Sequence, residues 1–161
     1  MATTDKYDRQ LRLWGSDGQR SLMTSKICLL NAGPTGTESL KNLVLPGCGF
    51  FHIVDGAAVT ERDCANNFFV DKAHLGQPRA RVALTLLLEL NPDVTGECTV
   101  EDPSALIQRD LSFFDQFSIV IATQMTKNAL APLAAHLYSR NIPLIVRVRR
   151  VKMGLGLLEL Q

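Results

Sequence analysis

The sequence predicts one α/β domain, a mostly parallel sheet with helices on both faces. Three observations lead there. Short apolar runs recur at Lys26–Leu30, Phe50–Val54 and Phe117–Ala122, as buried parallel strands do when both faces are covered. Amphipathic segments alternate with these runs, the order of an α/β domain. The 161 residues, 46% hydrophobic and 20% charged, suit a single core better than a disordered chain.

The charge balance removes several classes. Lys plus Arg is 17 against 16 Asp plus Glu, a net +1. Nucleic-acid binders carry a basic excess, and polybasic membrane-surface proteins do as well, so neither nucleic acid nor membrane is an expected partner. No window reaches the roughly 18 apolar residues of a spanning helix. Met1 to Arg12 alternates charges without an apolar stretch, unlike a secretory signal. Cys28, Cys48, Cys64 and Cys98 form no Cys-x-x-Cys, and His52, His74 and His136 are scattered, which argues against zinc. Reduced thiols then point to a cytoplasmic or nuclear protein.

The elements follow in order. The first strand, Lys26 to Leu30, leads to a helix from about Thr35 to Leu45, with capping-box spacing at Thr35 and Glu38. Leu40, Leu43 and Val44 form its apolar stripe, and Pro46-Gly47 stops it. The second strand, Phe50 to Val54, ends at Asp55-Gly56, and residues 57–76 read as irregular. Pro78 opens a helix through Leu90, with Val82, Leu86 and Leu87 inward and Arg79 and Arg81 near its start. A third strand is expected over 94–100, a fourth over 117–122, a helix over 126–140 and a fifth strand over 142–148. Right-handed crossovers place loops 31–36, 55–67 and 123–126 along one sheet edge, where such sheets bind ligands.

The first of these loops reads Asn31-Ala32-Gly33-Pro34-Thr35-Gly36. It departs from Gly-x-Gly-x-x-Gly at its first position, yet it leaves a strand and opens a helix as that motif does. Asp55 stands where a carboxylate holds ribose hydroxyls. Such loops bind anions through backbone N–H groups, and Pro34 has none. Pro34 also suits the first turn of a helix. The favoured reading is a loop kept for folding. A stand-alone NAD-binding oxidoreductase is the alternative that the loop and Asp55 leave open.

Tyr7-Asp8-Arg9-Gln10-Leu11-Arg12-Leu13-Trp14-Gly15 resembles the opening of ubiquitin-like-modifier activating enzymes and their bacterial relatives in thiamine and molybdopterin synthesis. Lys41 to Gly47, Asp55-Gly56 and Asn66-Asn67-Phe68-Phe69 narrow the resemblance to the regulatory subunits of the neddylation-activating branch. It runs from about Tyr7 to Ile145. It implies a Rossmann-like, truncated adenylation domain of the ThiF/MoeB type. The expected organisation is a helical arm over 1–25, a pseudo-adenylation domain over 26–148 and a divergent tail over 149–161.

Active members of this family adenylate a modifier's C-terminus with ATP and magnesium. Matched to their pattern, this chain departs at most catalytic positions. Asp-x-Asp becomes Asp55-Gly56-Ala57, and Asn-x-x-Arg becomes Cys64-Ala65-Asn66-Asn67, which puts Asn67 at the phosphate arginine. Gly-x-x-Lys becomes Gly76-Gln77-Pro78-Arg79, and the magnesium Asp after the fourth strand becomes Gln124. Adenylation needs phosphate charge neutralised and in-line attack positioned. The resemblance therefore implies no cofactor of its own, with ATP and magnesium held by the partner subunit. An active homodimeric adenylating enzyme conflicts with Ala57, Asn67 and Gln124.

Arg9 is the one catalytic candidate. The matching Arg in the family reaches across a pseudo-symmetric dimer to the phosphates bound by the other half, a role a permanently charged fork suits. The plainer alternative is a surface Arg paired with Asp8 or another nearby acid. The implied partner is the catalytic subunit of the neddylation-activating enzyme, in a heterodimer, with the ubiquitin-like modifier engaged indirectly. The cysteine that carries modifier thioester belongs to that partner, and Cys64 has no identifiable base. Trp14 and Leu11 are expected to pack the arm on the domain or partner. Phe68-Phe69 and Phe113-Phe114 are expected in core or interface. Beyond Ile145 the match fades into Val146 to Gln161, with Arg147, Arg149, Arg150 and Lys152 as a basic cluster and an expected uncovered sheet edge.

Overall fold

Five parallel strands in the order β3-β2-β1-β4-β5 form the centre of the computed structural model, which describes residues 6–147. The strands are β1 Lys26–Leu30, β2 Phe50–Val54, β3 Thr95–Thr99, β4 Ile119–Thr123 and β5 Leu144–Arg147. The helices are α1 Asp8–Met23, α2 Pro34–Val44, α3 Glu61–Asn66, α4 Arg79–Leu88, α5 Pro103–Arg109 and α6 Lys127–Ser139. One-turn 3-10 helices stand at Lys72–His74 and Ser112–Gln116. No described helix is long and apolar enough to cross a membrane.

Strand order reverses at β1, between β2 and β4, where doubly wound sheets open a ligand crevice. Leu30 lies opposite both Val54 and Ala122, so three strands end level and their following loops stand side by side.

Side chains alternate across β1. Ile27 and Leu29 join Phe51 and Ile53 under α2 and α4, through Leu40, Val44, Ala83 and Leu87. Cys28 and Leu30 join Val54, Val120 and Ala122 on the other face, under Leu106, Phe114, Phe117, Leu133 and Leu137. Helices thus cover both faces, and the strands read as unbroken apolar runs for that reason.

Several boundaries differ from the sequence expectation. Helix α2 starts at Pro34 with Gly33 as N-cap and no side-chain cap. Thr35 and Glu38 form no capping box, because the helix begins two residues too early, with Gly33 rather than Thr35 as N-cap; Glu38 pairs with Lys41 instead. The stretch read as irregular contains α3, whose start is a capping box between Thr60 and Asp63. Helix α5, absent from the sequence expectation, opens with Pro103 at its first turn and an Asp102 side chain that accepts from the Ser104 N–H at 2.8 Å. At seven residues it is too short to show a helical period. The edge strand β5 leaves Ile145 and Val146 exposed. Val148 and the tail 149–161 lie outside the described residues.

Helix α1 bends at Gly15, whose φ of +73° lies in the left-handed region. Just before the bend, Trp14 folds back over Gly18, where a Cβ would come within 2.8 Å of the indole. Its Nε1 donates to Gln19 Oε1 at 3.0 Å, and Gln19 Nε2 donates to the Pro46 carbonyl at 2.9 Å.

Candidate functional site

The loop after β1 is held by the ends of the two neighbouring strands, β2 and β4. Asn31 takes φ +67°, a conformation Asn tolerates better than most residues. Its N–H donates to the Val54 carbonyl at 2.9 Å and its Nδ2 to the Thr123 carbonyl at 2.8 Å. A Cβ on Gly36 would lie 2.5 Å from the Asn31 carbonyl oxygen. The glycine thus serves close packing of helix on strand, one of the roles of such loops. Gly33 is crowded differently. A Cβ there would meet the Gln124 carboxamide at 2.6 Å, so this side chain lies across the start of α2. Gln124 itself sits at φ +57°.

Below the loop lies a buried ionic triad. Asp55 is 0% exposed. Its Oδ2 accepts from the Ala32 N–H at 2.8 Å and from Arg79 Nε at 2.7 Å, and its Oδ1 accepts from the Ala57 N–H at 2.8 Å. Arg79 also donates through its guanidinium to Asp63 Oδ1 at 3.0 Å. Burial opposes the charged Asp63, but hydrogen bonds from Thr60 and the charge of Arg79 hold its carboxyl below the ordinary range. Burial likewise opposes the charged Arg79, and Asp55 and Asp63 together raise it.

Two sequence assignments change here. Asp55, the expected ribose acid, is committed internally through both oxygens. Arg79, matched to the phosphate-holding Lys, turns inward onto two carboxylates. Asn67, at the position matched to the phosphate arginine, also turns inward. It is buried, accepts from Thr37 Oγ1 at 3.2 Å and the Phe69 N–H at 3.1 Å, and supports the loop from below. Its exposed neighbour Asn66 lines the cleft instead.

Two clefts open over this floor, of about 590 and 570 Å³, and share Ala57 and Gln124 in their walls. Asn31, Gly56, Val100, Asp102 and Met125 line the first. Pro34, Thr35, Thr60, Arg62 and Asn66 line the second. Two carboxylates and one guanidinium give the floor a net negative charge. Pro34 lacks an N–H, and Ala57 and Gln124 carry no charge. Among the described residues Arg62 forms no ion pair, and it is the cation left facing the cleft. The first cleft also holds two acids at its wall, Glu101, paired with Arg109, and Asp102, whose Oδ1 accepts from the Ser104 N–H at 2.8 Å.

Arg9 is exposed on the first turns of α1. Asp8 pairs with Arg12 at 2.9 Å, and Arg9 makes no ion pair among the described residues. Tyr7 anchors this part of the arm near Val44 and Gly47, past the C-terminal end of α2. The eleven-residue α2 rises about 16 Å from the cleft to that end. The anchor of Arg9 is therefore at the sheet edge opposite the chain's own cleft.

The remaining candidates have structural surroundings. Cys64 Sγ donates to the Asp71 carbonyl at 3.1 Å. Burial lowers the His52 pKa against the opposing pull of Glu97, and its Nε2 pairs with Thr99 Oγ1 at 2.9 Å. Phe69 and Phe114 are core residues, whereas Phe68 is 85% exposed. Trp14 packs on its own arm and keeps 42% exposure, and Leu11 is partly buried. Asp63, missed in the sequence, had one signal, the Thr60-x-x-Asp63 spacing of a capping box.

A doubly wound sheet with a modified nucleotide loop at its switch point defines the class, and residues 7–144 match the ThiF family. The chain belongs to that family. It is 52% identical over 141 residues to the NEDD8-activating enzyme E1 regulatory subunit of Gallus gallus, covering 88% of this chain and 26% of that protein. The protein of the same name in Xenopus laevis is 53% identical over 141 residues, with the same coverage. Arabidopsis thaliana has a relative, the NEDD8-activating enzyme E1 regulatory subunit AXL, 48% identical over 88% of this chain and 27% of that protein. The chain spans about a quarter of the length of these relatives. Among solved structures, the Escherichia coli tRNA N6-threonylcarbamoyladenosine dehydratase TcdA shares the fold, with a TM-score of 0.78 at 19% identity over 89% of this chain and 59% of that one.

Proposed function

We propose that this chain is the non-catalytic, regulatory half of the heterodimeric enzyme that activates the ubiquitin-like modifier of neddylation. It binds the catalytic subunit, which holds ATP and magnesium, and it contributes Arg9 to adenylation there. The observation that carries this reading is the inward ion pairing of Arg79 with Asp55 and Asp63. The groups matched to phosphate and ribose binding are engaged with each other, and Gln124 lies over the loop. Removing single donors from preorganised sites costs roughly 3–4 kcal/mol of transition-state stabilisation, and this cleft lacks several. The far-edge anchor of Arg9 supports a role outside its own cleft. Residence in cytoplasm and nucleus belongs to the same proposal. The oxidoreductase alternative is disfavoured, since Asp55 is fully buried and its Oδ2 is engaged by the Arg79 guanidinium.

Size-exclusion chromatography with light scattering on the chain mixed with the catalytic subunit tests the docking. A one-to-one complex supports it, and separate elution of the two rejects it. Calorimetric titration of the chain alone with magnesium–ATP and with NAD is expected to show no binding. Saturable ATP binding would overturn the non-catalytic reading, and NAD binding would restore the oxidoreductase. In the assembled pair, Arg9→Ala is expected to lower modifier-dependent ATP–pyrophosphate exchange without preventing assembly.

A further inference from the structure

Tyr7 is an unusual residue to find buried at the head of an exposed arm. It is 2% exposed. Its hydroxyl donates to Asp93 Oδ2 at 3.0 Å and accepts from Asn91 Nδ2 at 3.1 Å. Asn91 is itself fully buried and ties the contact to α2 by donating to the Val44 carbonyl at 2.8 Å. Lys6 closes the cluster on its solvent side, with Nζ donating to Asn91 Oδ1 at 2.5 Å and Asp93 Oδ2 at 2.7 Å. The ring needs the space above Gly47, which sits at φ +88° and where a Cβ would lie 2.7 Å from the Tyr7 hydroxyl.

The arm is held a second time at Trp14, through Gln19 to Pro46. Residues 8–14 are therefore a short helical segment pinned at both ends, with Arg9 between the pins. A surface arm needing only to cover apolar area would not require a buried phenol with two directed polar partners. Such a device fixes direction as well as contact.

We infer that Tyr7, locked by Asn91 and Asp93, is a positioning residue that aims Arg9 at the reacting phosphates of the partner subunit. This rests on the proposed role of Arg9 in trans. Holding a catalytic group in place before reaction supplies rate by orientation, and small misplacements remove it. Tyr7→Phe deletes the hydroxyl and leaves the ring in place. Asn91 keeps its bond to Val44. Asp93→Ala removes the other side of the lock at an exposed position, which guards against a folding failure at Tyr7.

The test is a double-mutant cycle on modifier-dependent ATP–pyrophosphate exchange by the assembled pair, with chain melting and assembly checked in parallel. Tyr7→Phe and Asp93→Ala are each expected to lower kcat roughly ten- to a hundred-fold, with little change in the KM for ATP and assembly retained. In an Arg9→Ala background neither should lower kcat further, because residues acting as one unit are non-additive. An undiminished loss in that background would make the lock merely structural and overturn the inference. So would normal exchange by Tyr7→Phe alongside impaired exchange by Arg9→Ala. If Arg9→Ala itself exchanges normally, the role of Arg9 in trans fails first, and the inference falls with it by a separate and visible result.

Discussion

Replacing Arg79 with Met removes the only cation between two buried carboxylates. Asp55 is 0% exposed, Asp63 is 6% exposed, and Arg79 donates to them at 2.7 and 3.0 Å. Breaking a buried pair by deleting one partner costs about 3–5 kcal/mol, because the other charge is left uncompensated. For a domain of this size each kcal/mol lowers Tm by about 2–4 °C, so Arg79→Met should melt about 10 °C lower at neutral pH. Arg79→Lys keeps the charge but cannot fork onto both acids, and should fall between variant and native. The pH dependence separates electrostatics from packing. In the native chain the Asp63 pKa is depressed on folding, so its contribution is present above the ordinary carboxylate range near 4 and is lost as pH falls through the lower folded value. In Arg79→Met, Asp63 stays buried without the guanidinium and titrates higher, so acid relieves the uncompensated charge. The Tm deficit should therefore shrink between pH 7 and about pH 5. Thermal melts by circular dichroism over that range check both parts. A deficit of only one or two degrees, or one that stays constant with pH, would refute the triad as an uncompensated-charge device.

Gly36→Ala places a methyl 2.5 Å from the Asn31 carbonyl oxygen; overpacking of this kind should cost about 1–3 kcal/mol in denaturant unfolding. Thr60→Ala removes the α3 cap at Asp63 and should cost about 1 kcal/mol in the same assay. Thiol titration of the native chain should spare Cys28 and Cys48. Both are fully buried, and burial pushes the Cys28 thiol far up and the Cys48 thiol to about 11. Rapid reaction of all four cysteines would contradict this core.

Much of the architecture was readable because it is local or repeats at short range. Lys26–Leu30 and Phe50–Val54 are apolar on both faces because both faces are covered, and the Pro34 and Pro46 signals bound α2 closely. Helix α5 escaped because seven residues carry no periodic signal; its Asp102 cap and Pro103 were its only markers. The capping box fell on Thr35 and Glu38 rather than on Thr60 and Asp63 because both pairs have the same spacing, and only the chain path chooses between them. That Asn67 lies under the loop while Asn66 faces solvent was not legible, because the turn at the end of α3 decides which of the two points inward.

By itself the sequence determined which groups stand at the positions matched to the active pattern. Ala57 and Gln124 cannot bind a metal as carboxylates do, and Pro34 cannot donate an N–H, whatever the fold. Tertiary structure alone decided where the remaining charges went. Arg79 lies 24 residues from Asp55 and 16 from Asp63, and its direction depends on which partner compensates its burial. The packing of α4 against the sheet brings both acids within reach, so the guanidinium turns inward. The same packing carries Tyr7 to Asn91, 84 positions away, and so anchors Arg9 at the edge opposite the chain's own cleft.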